Sequence, residues 1–119
     1  MNTKDNKQLV ERYAQMWNTG ESGIALEILA ADYVDHAHPD LRGPEAIKTS
    51  VETNLPSMPG FHMEVDTMIA ESDMVAFREK ISMLVKGENV LLAEGMSMVR
   101  IRNGRMAERW TSYSYTARP

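Results

Sequence analysis

Val99-Arg-Ile-Arg-Asn-Gly-Arg-Met-Ala-Glu-Arg-Trp110 reads as strand, two-residue turn and strand, because Asn103 and Gly104 both tolerate the positive φ of a type I′ hairpin turn. It predicts a hairpin between a long strand over 90–102 and a last strand from Arg105 to about Tyr115. Upstream, Phe61, Met63, Val65, Thr67 and Ile69 alternate with His62, Glu64, Asp66, Met68 and Ala70, the period of a strand with two distinct faces. A turn at Glu71-Ser72-Asp73 leads into a strand over 74–86, and Gly87-Glu88-Asn89 reverses the chain again. Four long strands joined by short turns predict an antiparallel meander.

The first half has a helical period instead. Leu9, Val10, Tyr13, Met16 and Trp17 recur at spacings of three and four, predicting a helix over 3–18 with Thr3 as its cap. A second short helix is expected from about Glu21 to Ala31, with Ser22 as cap. Pro44 opens a third, in which Ile47, Val51 and Leu55 fall one turn apart. Between them, Tyr33 to Ala37 is a short edge strand cut off by Pro39. Helices followed by strands give an α+β fold, three N-terminal helices packed on one face of a curved, mostly antiparallel sheet. A chain of 119 residues, 43% of them hydrophobic, suits one domain over 1–119.

Composition narrows the partners. The net charge is −4 and no Lys/Arg run occurs, so the electrostatic footprint of a nucleic-acid or anionic-membrane binder is missing. With no cysteine there are no disulfides, thiolate metal sites or thiol nucleophiles. The polar N-terminus and the lack of a long apolar stretch make a soluble, cytoplasmic protein the expectation. Ten methionines, flexible and polarizable, suit irregular cavity walls as well as core filling.

The order and spacing of Tyr33-Val-Asp-His36, Gly43-Pro-Glu45, Ile69-Ala-Glu-Ser-Asp73 and Arg102-Asn-Gly-Arg-Met-Ala-Glu-Arg-Trp110 resemble the SnoaL-like polyketide cyclase branch of the NTF2-like superfamily. The resemblance covers nearly the whole chain. It implies a cone-shaped α+β barrel, an apolar pocket between helices and sheet, and a dimer. The fold hosts cyclases, isomerases, epoxide hydrolases and noncatalytic binders, so it constrains function far less than architecture. SnoaL-type cyclases carry an acid/base Asp four residues after the Trp of the Glu-x-Trp pattern, where this chain has Ser114. Many relatives carry Asp directly after that Trp, where this chain has Thr111. A hydroxyl has no useful basicity at neutral pH without an activating base. The acid of ketosteroid isomerases falls at Ser97, and the Arg-x-Asp of limonene-epoxide hydrolases is here Arg78 followed by Lys80.

Two residues are candidates for acid/base catalysis. Glu79 shares its strand face with Val75, Phe77, Ile81, Met83 and Val85. A carboxylate there must be paired, protonated or solvated by a cavity, and desolvation would move it toward the range of a useful acid or base. The alternatives are a bulge that turns it outward or a structural salt bridge with an arginine. His36 falls where the family pattern places a pocket-facing imidazole; otherwise it is a histidine fixing its loop by a hydrogen bond to a carboxylate. His38 and His62 read as solvent-facing, and no third ligand makes the His36/His38 pair a metal site. No metal and no cofactor are expected.

Regular alternation along the last strand sets Met106, Glu108, Trp110, Ser112 and Ser114 on one face, and Arg109, Thr111, Tyr113 and Tyr115 on the other. The first face is expected inside, and the second to form a dimer interface with Met96 and Met98. The expected pocket wall is then Tyr13, Trp17, Tyr33, Phe77, Met83, Ser97, Trp110 and Ser114, around His36 and Glu79. Such a pocket suits a small hydrophobic ligand bearing one or two oxygens. Two function classes fit it: acid/base chemistry on a carbonyl, enol or epoxide, or noncatalytic binding within the same walls.

Overall fold

The computed structural model describes residues 2–115. Helix α1 spans Thr3–Thr19, and its cap is Asn2 rather than Thr3: the Asn2 Oδ1 accepts from the backbone N–H of Lys4 and Asp5. Gly20, at φ 80°, ends the helix by returning its N–H to the Met16 carbonyl. Helix α2 covers only Ile24–Ile28, shorter than expected, because strand β1 takes over at Leu29 and runs to Asp35. The pairing of Leu29 with the last strand wins over weak helical propensity in a segment too short to propagate. Helix α3 spans Gly43–Asn54 with Pro44 at its start, as the sequence predicts.

Strands β2 (His62–Glu71), β3 (Met74–Val85), β4 (Glu88–Arg102) and β5 (Arg105–Tyr115) form the antiparallel meander, and β1 adds in parallel beside β5. The sheet order is β1-β5-β4-β3-β2. Asn103 and Gly104 both adopt positive φ at the β4–β5 turn. The core lies between one sheet face and the helices, where Val75, Phe77, Val99, Ile101, Met106 and Tyr33 meet Val10, Met16, Ile47 and Val51. Asn18 locks α1 onto β2 by donating to the Met63 carbonyl and accepting from its N–H. No described helix is long and apolar enough to cross a membrane.

Three bulges change which residues face the core. Along β2, Val65 pairs with Glu79 but Thr67 with Arg78, so Asp66 is extra and Met68 and Ala70, not Thr67 and Ile69, continue the inner face. Leu92 is the extra residue of β4. On β5, Arg100 pairs with Glu108 and Ile101 with Met106, leaving Ala107 unmatched. One inserted residue reverses every side chain after it. Regular alternation therefore fails on β5: Met106 is inside, but beyond the bulge Arg109, Thr111 and Tyr113 face inward while Glu108, Trp110, Ser112 and Ser114 face out.

Gly95, opposite Tyr113 on β4, is required by contact rather than by φ. A Cβ there would come within 2.0 Å of the Ser112 carbonyl oxygen, a backbone atom with nowhere to go.

Candidate functional site

Between the helices and the inner sheet face lies a cavity of about 530 Å³. Its helical wall is Tyr13 and Trp17 from α1 with Ile47, Ser50 and Asn54 from α3. Phe61, Met63 and Ile81 line one side, and Asp35, His38 and Leu41 the other. Arg109, Thr111, Tyr113 and Tyr115 of β5 form the sheet wall.

Arg109 is the centre of the polar chemistry. The strand brings it in at 6% exposure, where a cation must find partners. Its NH2 donates to Glu79 Oε1 at 2.8 Å and to Ser97 Oγ at 3.1 Å, and its NH1 donates to the Tyr13 hydroxyl at 2.8 Å. Glu79 Oε1 also accepts from the Tyr113 hydroxyl and from Ser97 Oγ, which itself meets Thr111 Oγ1. Burial opposes the charge on Arg109, but Tyr13 and Glu79, helped by Tyr113 and Tyr33, outweigh it and hold the guanidinium above its ordinary pKa. Tyr113 is pushed up by burial, with Glu79 adding to the rise against the opposing Arg109. Tyr33, wholly buried, is raised first by burial and then by Tyr13.

Two groups are left with unused capacity at the cavity. Asp35 is 4% exposed; its Oδ1 accepts the Ala37 N–H at 2.9 Å, and its other oxygen makes no hydrogen bond among the described residues. The Tyr13 hydroxyl accepts from Arg109, so its own proton is free to donate, and the cation behind it makes it a stronger donor. One cavity thus offers a carboxylate acceptor and a polarised hydroxyl donor.

Of the residues expected at the pocket, the structure brings Tyr13 and Trp17 to the cavity wall. Glu79 and Ser97 lie behind that wall, joined to it through Arg109. The arginine pairing that stood as the structural alternative for Glu79 is what the structure shows. Tyr33 and Phe77 are packed in the core, and Met83 lies on β3 past the lining residue Ile81. Trp110 and Ser114 are corrected to the outer face by the Ala107 bulge. His36 also lies outside: its ring stacks on Trp110 with centroids 5.0 Å apart, and Nε2 bonds Glu108 at 2.9 Å. The loop-fixing alternative holds for it. Conversely, Tyr113 and Tyr115, expected outside, line the cavity; His38 is exposed, as expected, and stands at the cavity edge.

Asp35 was missed, although a signal was there: it stands two residues from Tyr33 on a strand and shares its face. Arg109 had only an indirect signal, the unpaired carboxylate of Glu79 on an apolar face. Among the described residues no group of three or more His, Asp or Glu is placed to hold a metal ion.

The chain matches the family of SnoaL-like polyketide cyclases over residues 7–117. No curated protein matches it. Among solved structures, TsrD from Streptomyces laurentii is 17% identical over 96% of this chain and 91% of its own, with a TM-score of 0.82. IdmH from Streptomyces antibioticus, a proposed polyketide cyclase, is 20% identical over 91% of each chain at 0.74. A proposed polyketide cyclase from Bacillus cereus is 18% identical over 89% of this chain and 72% of its own, at 0.76. These likenesses show the fold, an NTF2-like α+β arrangement of three helices on a mixed five-stranded sheet, and the match across nearly the whole sequence makes the chain a member of the SnoaL-like polyketide cyclase family.

Proposed function

We propose that this protein performs proton transfer on a small carbonyl compound, with Asp35 as general base and the Tyr13 hydroxyl as the donor to the developing oxyanion. The observation that carries the reading is their complementary spare capacity in one cavity: a free carboxylate oxygen and an unspent hydroxyl proton backed by Arg109. Asp35 takes a proton from the carbon beside the carbonyl, and the C–H electron pair forms the enolate. The oxyanion is stabilised by Tyr13, and the enolate carbon can then attack an electrophile, which closes a ring, or be reprotonated, which isomerises the compound. Glu79 neutralises Arg109 and fixes its orientation, a positioning role rather than contact with the reacting atoms.

The test is deuterium exchange at the activated carbon of cyclic ketones such as 2-tetralone, followed by proton NMR in D2O. Wild-type protein should accelerate exchange, Asp35→Asn should lose about 10²–10⁴ of that rate, and Tyr13→Phe about 10²–10³. An Asp35→Asn rate equal to wild type would sink the reading. The second reading, a noncatalytic binder, is favoured by Ser114 and Thr111 standing where family members carry Asp; binding without exchange would support it.

We also propose self-association through the outer sheet face. Ile69, Ala76, Met98 and Trp110 lie in cross-strand register as one row over four strands, with Ile69 67% and Met98 46% exposed. Arg78, Lys80, Glu64 and Glu94 border it with both signs of charge, the polar rim of an interface.

A further inference from the structure

We infer that the ligand of this cavity is an organic cation, an amine in its ammonium form seated on Asp35 between aromatic walls; the inference rests on reading the cavity as a small-molecule site. The wall carries one guanidinium, and Glu79 already neutralises it at 2.8 Å. Asp35 is therefore a wall carboxylate beyond the one that Arg109 pairs, with no ion-pair partner and one oxygen unengaged among the described residues. His38 lines the same wall, but its side chain makes no ion pair with Asp35, and it is exposed to water.

A carboxylate so enclosed needs a counter-charge. The ring residues Tyr13, Trp17, Phe61 and Tyr113 line the cavity with it, and aromatic faces attract a desolvated cation through their quadrupoles. A neutral ligand leaves Asp35 uncompensated, and an anionic one adds like charge. An ammonium next to the reacting carbon would also acidify that C–H, so recognition and the proposed proton transfer favour the same compounds.

The turn can be kept while the charge is removed, because Asp35→Asn retains the oxygen that accepts from Ala37. The probes are phenyltrimethylammonium and its neutral isostere tert-butylbenzene, titrated into the full chain and followed by NMR shifts of the Trp17 indole. The cation should bind about tenfold tighter than the isostere to wild-type protein, and Asp35→Asn should erase that preference while leaving the isostere's affinity unchanged. Equal or tighter binding of the isostere to wild type overturns the cationic ligand and leaves the small-molecule site standing. A preference that survives Asp35→Asn also overturns it. Binding of neither probe overturns both readings.

Discussion

Replacing Glu79 by Gln isolates what the buried ion pair contributes. Both partners are nearly sealed from water, at 1% and 6% exposure, so solvent screening does not soften the change. The amide oxygen can still accept where Oε1 accepts from Arg109, Ser97 and Tyr113. Its NH2, however, replaces Oε2, a buried atom with no partner among the described residues, and becomes an unsatisfied donor. Among the described residues Arg109 then has no counter-charge in the network. Breaking a buried pair from one side costs about 3–5 kcal/mol. For a chain of this length that lowers Tm by about 10–20 °C. Arg109→Met should cost a similar amount, because it strands the carboxylate. The double variant removes both charges and should be less destabilised than the sum of the two by about 2–3 kcal/mol. Urea unfolding followed by circular dichroism measures all three. A cost below about 1 kcal/mol for Glu79→Gln, or additivity of the two changes within about 0.5 kcal/mol, would refute the account of Glu79 as the counter-ion that makes Arg109 tolerable.

Tyr33 and Tyr113 hold their protons more tightly folded than unfolded, so stability is fully present below the unfolded tyrosine pKa of about 10 and falls as pH rises beyond it. Phenolate absorbance should therefore show Tyr33 and Tyr113 ionising only as the protein unfolds; reversible ionisation of both in the folded protein would contradict their burial. Through the outer face, light scattering at micromolar concentration should give a dimer, and Met98→Glu should reduce it to a monomer without lowering Tm; a monomeric wild type would contradict the interface.

The element order and the hairpin at Asn103-Gly104 were legible because turn chemistry and apolar period are local properties. Glu79 was legible as an anomaly for the same reason: its face followed from β3, the strand with no extra residue of its own. The faces of β5 were not. Nothing in Arg-Met-Ala-Glu-Arg-Trp marks Ala107 as an extra residue, since the bulge exists only relative to β4. From Glu108 onward inner and outer were therefore exchanged, and Arg109 and Tyr113 appeared as surface while Trp110 and Ser114 appeared as pocket. The shortening of α2 escaped for a related reason, because Leu29 is claimed by a strand more than seventy residues away in sequence.

The residue at 107 also acts as a phase setting. The two family positions for an acidic group, occupied here by Thr111 and Ser114, are three apart and so can never face the same side of one strand. In this register it is position 111 that lines the cavity. Pairing Ala107 with Arg100 in place of Glu108, so that the bulge is lost while every residue is kept, would hand that place to 114 and expel Arg109 and Tyr113 without altering the residue types themselves. For this fold, a bulge gained or lost in the final strand rewrites the chamber, and comparisons that align a bulged strand residue for residue with a regular one will pair lining residues of one protein with exterior residues of another.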